Sequence, residues 1–194
     1  MKVYKTINNE IIITSNERTD CGDPICERLI TPDEILWHSR GCLKVQGNDV
    51  VIDTVKKTTW ESNKKTDLIS EHTKNNGTID RHTSDILSNG YDYVVNNIIV
   101  AKLSCSLAAQ HNFHALVTWH KILAVPIPIN GIEISQRDGL PPYYCQDLTT
   151  LMDIASKYMP YIKSKIESGN AQKLLVNDIA RTLIELENYV DNRT

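Results

Sequence analysis

The chain has 194 residues, and 41% hydrophobic against 23% charged side chains suffices for a folded core and excludes a wholly disordered chain. Basic residues number 21 and acidic residues 24, a formal net charge of −3 that argues against a dedicated nucleic-acid binder. No apolar run approaches the roughly 20 residues needed to cross a bilayer, so no membrane partner is expected.

The stretch 1–14 alternates apolar and polar residues instead of presenting a solid apolar block, and no signal peptide is read from it. The five cysteines are odd in number and scattered, which suits a reducing compartment, and a cytoplasmic location is expected. Aromatics make up 6% with a single Phe, so the core must be built mainly from Ile, Leu and Val.

Val3, Tyr4 and Ile7 lead into Asn8-Asn9, and Ile11, Ile12 and Ile13 lead out, the pattern of a β-hairpin with a turn that tolerates positive φ. Thr31-Pro32-Asp33-Glu34 predicts a helix start: Thr caps, Pro suits the first helical position, and the acids favour the positive end of the dipole. That helix is short, passing through Ile35, Leu36 and Trp37 and stopping at Gly41. Leu43 and Val45, then Gly47-Asn48, then Val50, Val51 and Ile52 predict a second hairpin.

From Lys56 to Asp85 sizeable apolar residues are sparse among Lys, Thr, Ser, Asn and Asp. Such a tract reads as a polar linker or a loosely held helix, because it buries too little area to offset its ordering entropy. Beyond it, Asn96-Asn97 reads as the cap of a helix through Ile98, Ile99, Leu103 and Leu107. Residues 115–125 are apolar, and Trp119 is expected inside. Pro126 and Pro128 restrict any strand there to a sheet edge, and Asn130-Gly131 before Ile132-Glu133-Ile134 marks a tight turn.

Leu148, Leu151, Met152, Ala155, Met159, Ile162 and Ile166 form a helical stripe opened by Asp147, interrupted at Pro160 and ended at Gly169-Asn170. Leu175, Ile179, Leu183, Leu186 and Val190 predict a second helix antiparallel to it. The expected fold is therefore α+β: a small β-rich unit over 1–55, a polar linker over 56–85, and a mainly helical domain over 86–194. That domain is expected to carry a short β-hairpin and a terminal helical hairpin.

Cys21-x4-Cys26-x11-His38-x3-Cys42 offers ligand types suited to zinc, but without the closely spaced ligand pair of common zinc sites. No metal is the favoured reading there, with zinc as the alternative and ordinary small buried residues as the plain explanation. His111, His114 and His120 do not share one helix face and read as surface histidines. Cys145 precedes a helix start, where a thiol pKa falls, so a nucleophilic Cys145 with His114 or His120 as base is a catalytic alternative. The surrounding residues lack a glycine-rich oxyanion turn, which favours a core cysteine. His82-Thr83-Ser84 has the His-x-Ser/Thr pattern of some phosphoesterases but falls in the polar tract, where a rigid site is not expected. The common nucleotide, dinucleotide, zinc-protease and hydrolase signatures do not occur.

Gly90-Tyr91-Asp92-Tyr93, then Val117-Thr118-Trp119, then Asp147-Leu148-Thr149-Thr150-Leu151-Met152 follow one another over residues 88–188. In this order they resemble small bacteriophage tail-fibre-associated proteins that carry a DUF4376-like domain. Ile30-Thr31-Pro32-Asp33-Glu34-Ile35 resembles segments of tail-fibre accessory chains. The resemblance implies a virion or virion-assembly role in host cytoplasm or particle, and it carries over no catalytic residues. The expected function is a non-catalytic binding or assembly module, a tail-associated structural protein or fibre chaperone. Its partner would be a tail or fibre subunit, with a second copy of the chain as another partner, and Trp60 and Trp37 are the candidate interaction residues. The alternative is a small cysteine- or zinc-dependent enzyme or a host-defence antagonist.

Overall fold

A computed structural model describes residues 2–5, 10–14, 23–137, 139–178 and 181–194, and the fold is α+β. The chain divides into two compact units, one of Met1–Leu68 with Thr182–Ile184 and one of Ile69–Arg181 with Glu185–Thr194.

The first unit opens with strands β1 (Lys2–Lys5), β2 (Ile11–Thr14) and β3 (Asp23–Glu27), antiparallel in the order β2-β1-β3. Val3 pairs with Ile13, so the predicted first hairpin forms, although its Asn8-Asn9 turn lies outside the described residues. Helix α1 (Pro32–Ser39) starts as predicted, and Thr31 and Glu34 complete a reciprocal capping box. It ends before Gly41, whose φ of 67° suits a residue without a Cβ. Strands β4 (Leu43–Gln46) and β5 (Asp49–Ile52) form the predicted second hairpin, with Leu43 opposite Ile52 and Val45 opposite Val50.

Two small cores hold this unit. Val3, Ile30 and Val50 make one, and Trp37, Cys42 and Leu43 make the other. Arg28 ties them at the surface, with Nε donating to Asp49 Oδ1 at 2.7 Å and Nη2 to Glu34 Oε1 at 2.6 Å.

The tract read as a polar linker or a loosely held helix is helical, with α2 (Thr54–Thr73) followed by α3 (Thr78–Ser88). Few apolar residues suffice in α3 because they fall on one side: Ile79 and Ile86, seven apart, are buried. In the second unit α3 packs along α5 (Leu148–Val176).

Asn96-Asn97 caps no helix. It forms the turn between β6 (Tyr91–Val95) and β7 (Ile98–Leu103), with φ values of 50° and 64°. Both signals use the same chemistry, since Asn caps helices and also tolerates positive φ. The β-branched run Ile98-Ile99-Val100 decides for the strand. Next come α4 (Leu107–Val117), a π-helical turn over Thr118–Ile122, β8 (Ile132–Ile134) and β9 (Tyr143–Cys145). Strand β8 pairs with β9, and Gly131, with φ of 84°, lies just ahead of it.

Helix α5 opens on Asp147, which accepts from Thr150 N at 2.7 Å, and then runs unbroken through Pro160 and Gly169. Pro160 is tolerated because it and Ser156, whose carbonyl loses a helical bond, are both on the exposed side. The buried face is Leu151, Ile154, Tyr158 and Ile162, turned from the predicted stripe so that Leu148, Met159 and Ile166 are exposed. Of the second helix expected in a terminal helical hairpin, five residues are helical among those described. Among the described residues α6 (Leu183–Glu187) alone follows α5, Leu175 and Val190 of the predicted stripe are exposed, and Ile179 lies outside the described residues. Arg181 Nε instead donates to the Leu175 carbonyl at 2.7 Å, satisfying the last turn of α5.

Tyr158 lies at the centre of the second unit's core. Its ring meets Phe113 at 5.0 Å, and its hydroxyl donates to the Ser104 carbonyl at 2.6 Å.

Candidate functional site

Helix α4 begins at Ser106, whose hydroxyl accepts from Ala109 N at 3.2 Å. Its buried side carries Ala109 and Phe113 against the core. At Thr118 the winding loosens: Leu123 N donates to Thr118 O at 3.1 Å, and Val125 N to Trp119 O at 3.0 Å. Ala124 follows with φ of 51°, a left-handed conformation that an L side chain adopts at a cost. Wide turns and left-handed non-glycine residues both concentrate at functional sites.

The loosened turn decides which side chains face inward. His120 is buried, with Nδ1 at 2.8 Å from Val125 O, whereas Trp119, expected inside, is 53% exposed. Trp119 borders a cavity of about 240 Å³ between α4 and β8. Its apolar walls include Phe113, Leu116, Ile134 and Tyr158, and Asn112 and Glu133 supply polar groups. Glu133 is exposed and forms no ion pair among the described residues. Beyond Trp119, the side chains of Ile122, Leu123, Val125 and Ile129 are also exposed, Ile129 almost completely. Such a concentration of exposed apolar surface marks an interaction site more often than scattered single residues do.

Trp37 and Trp60 do not form an exposed interaction surface. Trp37 is buried and Trp60 half-buried, and their rings meet edge to face at 5.8 Å. The Arg40 guanidinium lies 4.0 Å from the Trp60 ring and 4.8 Å from Trp37, so the pair and its cation hold the first unit's second core together.

Cys145 is fully buried at the end of β9, and its thiol donates to the Asp147 carbonyl at 3.2 Å. Burial pushes that thiol up, with the nearby Asp147 charge acting the same way, opposite to what an activated nucleophile requires. His114 is exposed on α4, and His120 is engaged with Val125, so neither histidine is a hydrogen-bond partner of Cys145. His111 is exposed, as expected.

Of the zinc alternative, Cys21 and the Cys26 side chain lie outside the described residues. Cys42 is buried, with its thiol on the Arg40 carbonyl, and His38 Nε2 lies 2.5 Å from Ile11 O. Among the described residues no three His, Cys, Asp or Glu side chains gather as a metal site. His82 and Thr83 hold the chain's end in place: His82 Nε2 lies 2.9 Å from Arg193 O, and Arg193 Nη2 donates to Thr83 Oγ1 at 3.0 Å.

Sequence reasoning missed Trp119, Leu116 and Glu133 as one site. A signal was present in Ile122-Leu123-Ala124-Val125-Pro126-Ile127-Pro128-Ile129, an apolar run that its prolines bar from both helix and sheet interior. Such a run has few ways to be buried within its own chain.

No family model matches the sequence, and no curated protein and no solved structure matches it either.

Proposed function

We propose that this chain is a binding module that captures a protein partner by taking an apolar side chain into the α4–β8 cavity under Trp119. One observation carries the reading: Trp119 stands exposed at a cavity walled partly by Phe113, Leu116, Ile134 and Tyr158, on a π-helical turn followed by a left-handed Ala124. Tryptophan is enriched among interface hot spots, which sit at well-packed pockets, because docking removes both the ring and the pocket wall from water. At about 240 Å³ the cavity is smaller than the roughly 300–1,000 Å³ of most small-molecule sites and suits a single anchoring side chain. Glu133 at its edge favours an anchor flanked by Lys or Arg. The resemblance to small tail-associated phage proteins supports assembly of a particle as the setting, with a tail or fibre subunit as the partner.

The test is affinity capture from the native source with the wild-type chain and with Trp119→Ala. The variant is expected to lose the captured partner while staying folded, with its unfolding free energy lowered by about 1 kcal/mol because about half of the Trp119 surface is buried. Equal capture by wild type, Trp119→Ala and Glu133→Lys would remove the reading.

A further inference from the structure

Strand β6 has one unoccupied edge. Among the described residues it pairs only with β7, and no other group bonds to its backbone. The equivalent edge of β7 is already in use: Arg137 N donates to Lys102 O, Lys102 N donates to Gln136 Oε1, and Ser104 N donates to Ser135 O.

The hairpin geometry fixes which backbone groups on β6 face outward. A two-residue turn makes Val95 and Ile98 exchange bonds across the hairpin, so the N–H and C=O of Val94 point away. Lys102 bonds outward, so Asp92 opposite it faces outward on the other side. The register shift between Tyr93 and Val94 leaves the alternation intact on β6, because the extra residue, Val100, is on β7. The far end of the hairpin is unguarded. Val94, Val95, Ile98, Ile99 and Val100 are all exposed, with no charge or proline among them.

We infer that β6 is a self-association edge, pairing antiparallel with β6 of a second copy of this chain in a register centred on Tyr93. In that register Asp92 faces Val94 of the other copy, and Val94 faces Asp92. Both outward-facing residues of each strand then exchange two bonds with their opposite numbers. Val95 comes opposite Tyr91 of the other copy, a favourable β-branched–aromatic pair.

The neighbouring registers are worse for stated reasons. Centring on Asp92 places two carboxylates face to face. Centring on Val94 leaves one bonded pair and puts Asp92 against Asn96, which has left the strand with φ of 50°. The same strand therefore complements itself without a like-charge contact, and this selects a second copy as the occupant. This inference stands apart from the α4–β8 cavity.

Light scattering after size exclusion, on the full chain over a range of concentrations, is expected to show a dimer. Val94→Pro removes a donor that bonds nothing among the described residues, and Val94→Lys adds a guarding charge. Both are expected to give monomers with unchanged far-ultraviolet circular dichroism. The register is read from an oxidised mixture of Asp92→Cys and Val94→Cys chains, which is expected to yield a disulfide-linked dimer that neither variant yields alone. A chain that stays monomeric at every concentration would overturn the inference and leave the edge to a strand of another protein. A dimer that survives Val94→Pro, or a mixture that links no better than its parts, would overturn it as well.

Discussion

Gly169 of α5 packs directly against Thr83 of α3: a Cβ at position 169 would stand 2.7 Å from Thr83 Oγ1 and 3.0 Å from Arg193 Nη1. Thr83 cannot readily withdraw, because its hydroxyl donates to Ile79 O at 2.9 Å and receives Arg193 Nη2. Arg193 is held in turn by Asp191 at 2.6 Å, with both side chains almost fully buried. One glycine therefore lets the chain's last residues close over the contact between two helices.

Gly169→Ala is expected to lower stability. The gain in helix propensity is about 1 kcal/mol, but overpacking against a tethered β-branched neighbour costs about 1–3 kcal/mol. Chemical denaturation should show a net loss of about 1 kcal/mol. The double variant Gly169→Ala/Thr83→Ala should lose less than the sum of the single effects, since removing Oγ1 relieves the clash.

Trp60→Ala is expected to destabilise the first unit by about 2 kcal/mol, less than a fully buried tryptophan would cost because the ring is half-buried. Hydrogen exchange at the amides of β4 and β5 should quicken in this variant. Trp119→Ala should leave those amides unchanged. The contrast separates a tryptophan that supports a core from the exposed one at the proposed docking site.

The Arg28 guanidinium beside Glu34 holds its carboxyl at about 2, down from the usual 4.5. A carboxyl depressed in the folded state favours folding fully above its unfolded value, and the benefit fades as pH falls from about 4.5 towards about 2. Urea midpoints measured between neutral pH and pH 3 should therefore decline across the acid range. Glu34→Gln should start lower at neutral pH and decline less steeply.

Iodoacetamide at neutral pH should modify Cys145 slowly in the native protein and rapidly once denaturant opens the fold. Its thiol is buried, raised above the ordinary thiol range and donated to the Asp147 carbonyl. Cys105, pushed up to about 11 by burial, should behave alike. Mass spectrometry of peptides from each condition resolves the two positions, and rapid native labelling at Cys145 would contradict this placement.

Features set by a few adjacent residues were legible in advance. The capping box at Thr31 and Glu34, the stop at Gly41, the Gly47-Asn48 hairpin and the Asp147 cap each depend on bonds closed within a few residues. The α+β class followed from the same local signals. Asn96-Asn97 and Gly169 were misread because their residue types serve two conformations, and the choice rests on what packs opposite them.

The candidate site belongs to the second kind. Whether Trp119 faces inward depends on the winding after Thr118, and the cavity exists only because β8 comes to lie beside α4. Short-range bonding enthalpy and backbone sterics act between neighbours in the chain and can be read along it. Burial is a property of surfaces brought together from distant positions, and it is settled when the chain has packed.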